Sequence, residues 1–408
     1  MNTQLRLFSP VESSKRAFVD NLAAFDEFGR ATEIFVDGGI RYFVNEYWTA
    51  RQRQSHNLHE ISYRACFKAE LPRFLIERLS VPGEMVYDPF MGRGTSLLEA
   101  ALLGRKTIGN DINPLSAMLA GPRLDPPPLA AILRRLNEID WRAEVPAKDK
   151  QLLVFYHDDT LGEIVALKNW FWTRHQTGKF DRVDDWIRMV ALNRLTGHSS
   201  GFFSVYSLPP NQALSIESQE KINIKRKQIP PRRYVAEIIA KKTRTLLSDG
   251  GPRAGLCEAL LTGPAWKTPK IQADSVTLIV TSPPFLDIVD YAKDNWLRGW
   301  FAGIDTVHIA IDSHKTVEAW EAFVRRSFEE FLRVLRPGGH IAFEVGEVRK
   351  GKVLLERNVV AATRGLPLTV LGVMVNDQDF TKTANCWGVA NNEGGVNTNR
   401  IVLFRREI

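Results

Sequence analysis

Residues 84–95 read Glu84-Met85-Val86-Tyr87-Asp88-Pro89-Phe90-Met91-Gly92-Arg93-Gly94-Thr95. A short apolar run ends in an acid, then comes a Gly-rich bend, then a helix start, which together predict a strand–loop–helix unit. Ser96, with Glu99 three residues on, has the spacing of a capping box opening a helix over 97–103. Gly92 and Gly94 let the backbone turn sharply and leave room for a ligand against the main chain. Amide N–H groups at the following helix start favour anionic or carboxylate groups. Leu97 stands where a dinucleotide-binding loop has its third glycine, and the Lys-Ser/Thr pair of a phosphate loop is missing. Nicotinamide cofactors and nucleoside triphosphates are therefore not the first expectation.

Two further stretches extend this reading. Thr107-Ile108-Gly109-Asn110-Asp111-Ile112-Asn113-Pro114 is a second strand ending in an acid, placed to accept from ribose hydroxyls. Far downstream, an apolar run over 276–280 leads into Thr281-Ser282-Pro283-Pro284-Phe285. The string Asp88-Pro89-Phe90-x-Gly92-x-Gly94-Thr95, the Asp111 strand and the Ser-Pro-Pro-Phe run together resemble the amino-group DNA methyltransferases, over roughly residues 58–120 and 272–345. The resemblance implies an open, doubly wound, mostly parallel seven-stranded α/β sheet of Rossmann-like type, with a mainly helical inserted domain. It implies S-adenosylmethionine as cofactor, held by Phe67, Asp88, Pro89, Phe90, Gly92, Gly94, Thr95, Asp111 and Ile112. Ser282, Pro283, Pro284 and Phe285 are the implied catalytic group, with Phe285 a face for an extruded base.

A serine before Pro-Pro tilts the expected target towards the N4 amine of cytosine in double-stranded DNA. Adenine N6, an RNA base, and a DNA-binding module without activity are the alternatives. The resemblance also admits a cognate restriction endonuclease as partner. No cysteine lies in a Pro-Cys motif, which argues against carbon-5 chemistry. Two departures bear on adenine recognition: Gly263-Pro264 lacks the usual acid, and Thr277 replaces a usual aspartate. Main-chain groups or Asp274 are expected to serve instead.

The chain has 408 residues, 44% hydrophobic and 25% charged, which fits a globular protein of more than one domain. Three scattered cysteines form neither a metal pattern nor a disulfide framework, so no metal and a reducing, cytoplasmic setting are expected. No run is long enough to span a membrane, and the first residues lack a signal peptide's apolar core. The formal charge of +7 is concentrated: residues 221–244 hold nine Lys/Arg against one Glu. Lys225, Arg226, Lys227, Arg232 and Arg233 are expected on DNA phosphates, with Gln219, Asn223 and Gln228 near base edges.

The organisation expected is an N-terminal arm (1–55), a first catalytic part (56–125), an inserted target-recognition region (126–255) and a second catalytic part (256–408). Helical patterns fall at 129–139, 161–172, 183–195 and 234–247, and Leu75, Ile76 and Leu79 form a stripe after Pro72.

Overall fold

The computed structural model describes residues 18–48, 56–63, 66–208, 212–284, 291–309, 311, 314–346, 353–377 and 399–408. Among them, nine strands form one mixed sheet: β1 (Glu33–Asp37), β2 (Ile40–Asn45), β3 (Met85–Asp88), β4 (Lys106–Asp111), β5 (Cys257–Thr262), β6 (Val276–Thr281), β7 (Leu335–Val345), β8 (Leu368–Asn376) and β9 (Asn399–Arg406). Their order is β1-β2-β8-β9-β7-β6-β3-β4-β5. β7, β6, β3, β4 and β5 are mutually parallel, and β9 runs antiparallel to both neighbours. The seven strands expected from the resemblance are thus present. The N-terminal stretch adds a hairpin, with β2 parallel to β8 and β1 at the edge.

The helices are α1 (Glu70–Leu79), α2 (Thr95–Leu102), α3 (Pro114–Leu124), α4 (Leu129–Glu138), α5 (Asp158–Gln176), α6 (Arg182–Leu192), α7 (Ile216–Arg226), α8 (Val235–Leu246), α9 (Tyr291–Ala302), α10 (Val317–Val334) and α11 (Leu355–Ala362). Alternation along each strand covers the sheet on both sides. Val86, Leu278, Val280, Ala342 and Leu403 face α1, whose Leu71, Phe74 and Leu75 are buried against them. The residues between them, Tyr87, Ile279, Ile341, Phe343, Val402 and Phe404, face the aromatic stripe of α10 and the apolar face of α11. Helices α4, α5, α6 and α8 pack with α2, α3 and α9 into one continuous core.

Several local expectations change. The pair Ser96 and Glu99 is not a capping box: Gly94 is the N-cap of α2, in the left-handed conformation and without a side-chain cap. Both side chains are drawn away by buried partners, described below. Helix α3 is capped by Asn113, whose side chain accepts from Leu115 N–H, and it runs through Pro122 to Leu124. Residues 216–226, outside the helical patterns expected, form α7, capped by Ser215.

Candidate active site

The strand order reverses between β3 and β6, and in an open α/β sheet the crevice beyond the strands' carboxyl ends at such a point holds the ligand. Asp88, Asp111 and Ser282 all lie at those ends: Asp88 closes β3, Asp111 closes β4, and Ser282 directly follows β6. Side-chain bonds tie the two distant motifs together. Asp88, nearly fully buried, accepts from Thr281 Oγ1 at 2.6 Å and from Ser96 Oγ at 2.7 Å, and Ser96 Oγ also reaches Val280 O at 3.1 Å. Phe90 N–H donates to the same carboxylate at 3.1 Å. Burial pushes the Asp88 carboxyl up to about 6, against the pull of these donors. Its oxygens are engaged in fastening the Gly loop to β6. With three of its acceptor positions taken inside the fold, Asp88 serves as an anchor of the loop.

Asp111 closes the other side of the loop. It accepts from Gly92 N–H and from Asn113 N–H, each at 2.8 Å, and stays partly open to solvent. Burial raises its carboxyl above the ordinary range, and the two N–H donors oppose the rise. Gly92 has φ +49°, and a Cβ there would meet nothing closer than Cys66 Sγ at 3.7 Å. Gly94 has φ +78°, and a Cβ there would meet Ala120 Cβ at 2.6 Å. One glycine leaves room beside the crevice; the other lets α2 and α3 approach each other.

Arg93, between the two glycines, holds the preceding segment over the loop. Its guanidinium donates to Ile61 O at 2.7 Å, His59 O at 3.4 Å and Phe67 O at 3.4 Å, and to Thr95 Oγ1 at 3.1 Å. Phe67 and Thr95 therefore enter the site through these contacts. Arg123, fully buried, donates to Leu58 O at 3.0 Å, Leu119 O at 2.8 Å and Arg93 O. Burial and the neighbouring Arg93 bring its guanidinium down to about 9. Glu99 takes His59 Nε2 at 2.6 Å instead of capping α2. Neither arginine was singled out in the sequence; the charge between two loop glycines was the available signal for Arg93. Pro89 is buried under the loop, and Phe90 packs on Phe323 and Phe331, with ring centroids 5.6 and 6.3 Å away. Ile112 is half-buried beside Asp111.

On the β6 side, Ser282 Oγ donates to Glu344 Oε2 at 2.5 Å. Glu344 lies on β7, buried, and its other oxygen accepts from Asn399 Nδ2 at 2.9 Å. Burial raises the Glu344 carboxyl. Pro284 O accepts from the indole N–H of the fully buried Trp320 at 3.0 Å, so α10 fixes the Pro-Pro turn. Glu344 was missed because it sits in a strand pattern, and only strand pairing brings it to Ser282. Phe285 lies outside the described residues.

Asp274 is corrected by the fold. It precedes β6 at the amino end, pairs with Arg406, and lies at the far end of the strand from Ser282. Gly263, by contrast, adjoins Asp111: its N–H donates to Asp111 O at 3.0 Å, and its carbonyl accepts from Asn110 Nδ2 at 2.9 Å.

The basic stretch divides. Lys225, Arg226 and Lys227 are exposed at the end of α7, with Arg226 over the Tyr206 ring at 3.8 Å. Arg232 turns inward to Glu163 at 2.6 Å, and Arg233 is half-buried. The amides expected at base edges are internal fasteners. Gln219 and Gln228 both donate to Tyr206 O at 3.0 Å and to Asn223 Oδ1, while Asn223 donates to Val154 O at 2.7 Å.

Residues 40–119 match the family model described as DNA methylase. The match takes in the Gly loop and the strand that ends in Asp111. Similar proteins include the type II methyltransferase M.MvaI of Kocuria varians, 30% identical over 25% of this chain and 19% of its own. M.BsoBI of Geobacillus stearothermophilus is 40% identical over 19% of this chain and 15% of its own. The orphan methyltransferase M.BamHII of Bacillus amyloliquefaciens is 33% identical over 21% and 32%. The aligned part thus spans under a third of each relative. TrmN from Thermus thermophilus overlays 86% of this chain and 51% of its own at 12% identity, with a TM-score of 0.34. That overlap is loose, and the fold assignment rests on strand order and direction. Among the described residues, no helix is long and apolar enough to cross a membrane, and no cluster of His, Cys, Asp or Glu could hold a metal ion.

Proposed function

We propose that the chain is an S-adenosylmethionine-dependent DNA methyltransferase acting on the N4 amine of cytosine. The observation that carries this reading is the pair of bonds joining the Gly loop to the Ser-Pro-Pro run, Thr281 to Asp88 and Ser96 to Val280 O. They put the two motifs on one crevice. The cleft chemistry fits the cofactor: space at Gly92, an acceptor carboxylate at Asp111 and a loop stapled by Arg93. Gly92 and Gly94 would cradle its amino acid part, and Asp111 would accept from its ribose hydroxyls. When bound, S-adenosylmethionine supplies an electrophilic methyl group on a sulfonium.

The chain's own residues handle the acceptor. An exocyclic amine is a poor nucleophile because its lone pair is delocalised into the ring. Ser282 commits its hydroxyl hydrogen to Glu344, so the Oγ lone pairs remain for an amine N–H. That contact favours a tetrahedral nitrogen. The surplus proton can pass to Ser282 Oγ as the hydroxyl hydrogen moves to Glu344, a carboxylate made more basic by burial. Asn399 fixes the second carboxylate oxygen, and Trp320 fixes the turn. Alignment with the methyl supplies much of the remaining acceleration. A duplex target must first leave the stack. Lys225, Arg226 and Lys227 are the proposed phosphate contacts.

Serine rather than an acid or amide before Pro-Pro supports cytosine over adenine. The test is incubation with labelled cofactor and either plasmid DNA or RNA, followed by nucleoside identification. N4-methylcytosine is expected. N6-methyladenine overturns the base assignment, label in RNA alone overturns the DNA assignment, and absence of label overturns the enzyme reading.

A further inference from the structure

A second cavity, of about 740 Å³, lies at the amino ends of the central strands, the opposite end from the proposed active site. It is bounded by the amino ends of β3 and β6, the end of α1, the start of β7 and the end of β9. One wall is a bulge. Leu335 pairs with Val276 and His340 with Leu278, so Arg336, Pro337, Gly338 and Gly339 loop out of β7. Bulges of this kind often reposition side chains next to sites.

The charges lining the cavity do not balance. Arg336 is paired with Glu84 at 2.6 Å, Arg78 with Glu27 at 3.2 Å, and Glu77 with Arg73 at 3.1 Å. Arg405 is different: the residue is only 4% exposed, and its single side-chain hydrogen bond among the described residues is from Nε to Gly338 O at 3.2 Å. A guanidinium has five N–H donors. With no carboxylate paired to Arg405 among the described residues, these N–H groups on the cavity wall are a donor set for an anion. Beside it, the buried Nε2 of His340 has no partner among the described residues. Burial and the charges of Arg405 and Arg336 hold this ring down to about 4, so at neutral pH it is uncharged and can offer an N–H. Gly338, at φ +77°, makes the space: a Cβ there would stand 3.3 Å from Arg405 Nη2. Phe18 and Leu79 contribute apolar wall. The volume falls in the range of small-molecule sites and exceeds what a bare ion needs.

We infer that this cavity binds a small phosphate-bearing molecule, its phosphate on Arg405 and His340 and its body against the apolar wall. The site is separate from the cofactor crevice and does not depend on the reaction assigned there.

The experiment is ³¹P line broadening of inorganic phosphate and of adenosine 5′-monophosphate with the full chain, at constant ionic strength set by chloride. It is repeated with saturating S-adenosylhomocysteine to occupy the other crevice. Saturable broadening that survives S-adenosylhomocysteine is expected. Arg405→Gln should weaken it at least tenfold and Arg336→Gln, on the exposed rim, several-fold. No broadening with either probe, loss on adding S-adenosylhomocysteine, or equal affinity in the variants overturns the proposal. If Arg405→Gln does not fold, Arg336→Gln decides, and unchanged broadening there is a refutation. If duplex DNA binding, rather than phosphomonoester binding, depends on Arg336 and Arg405, the surface is a nucleic-acid contact and the proposal fails.

Discussion

Substituting Gly92 and Gly94 one at a time separates a glycine kept for a ligand from one kept for packing. Both have positive φ, so alanine at either carries the left-handed penalty of about 1–2 kcal/mol. At Gly92 that is nearly the whole cost to folding, because the nearest atoms would be Cys66 Sγ at 3.7 Å and Tyr63 Cε1 at 3.8 Å. At Gly94 the new methyl would lie 2.6 Å from Ala120 Cβ and 3.4 Å from Ala120 Cα, on a helix that cannot retreat without moving Arg123. Overpacking of that kind adds about 1–3 kcal/mol. Gly94→Ala should therefore lose about 2–5 kcal/mol and Gly92→Ala about 1–2. Cofactor affinity should show the reverse order, because the methyl at Gly92 enters the crevice while the one at Gly94 is buried. Urea unfolding gives the first ranking, and calorimetric titration of S-adenosylmethionine under native conditions gives the second. Equal stability losses, or a Gly92→Ala protein that binds cofactor as tightly as the parent, would refute the division of labour between the two glycines.

Ser282→Ala and Glu344→Gln should each lower the single-turnover methylation rate by about 10²-fold or more with cofactor affinity unchanged, since general acid–base groups contribute on that scale. The parent rate should fall as pH drops through the raised Glu344 carboxyl, and Glu344→Gln should lack that limb; a retained limb removes Glu344 from the proton path. Asp88 has a folded-state carboxyl near 6, above its unfolded value, so its contribution to stability is full below about pH 4 and is lost as pH rises towards 6. Two units correspond to about 3 kcal/mol, so stability of Asp88→Asn relative to the parent should improve by about that much between pH 4 and 7 in denaturant titrations. A constant difference across that range contradicts the burial argument. Replacing Lys225, Arg226 and Lys227 together by Ala should flatten the slope of log K against log salt by roughly 2.7 if all three meet duplex phosphates. An unchanged slope would move the DNA contact elsewhere.

Much of the fold was legible because it rests on local chemistry. Apolar runs ending in Asp88, Asp111 and Ser282 specify strands whatever surrounds them, and the stripe Leu75-Ile76-Leu79 specifies which helix face is buried. The order in which those strands lie is not local, and neither are the partners of polar side chains within the fold. Ser96 and Glu99 have a capping box's spacing, yet buried Asp88 and His59 compete for them and win, because an unpaired polar group in the interior costs more than a lost cap at a helix start. Gln219, Asn223 and Gln228 look like base readers in sequence and prove to be fasteners for the same reason. Glu344 reaches Ser282 only because β7 pairs with β6, across a sequence gap no local pattern spans. The residue types present were thus enough to indicate the chemistry, whereas which of them face solvent, ligand or one another followed from long-range strand pairing and the requirement that buried donors and acceptors be satisfied.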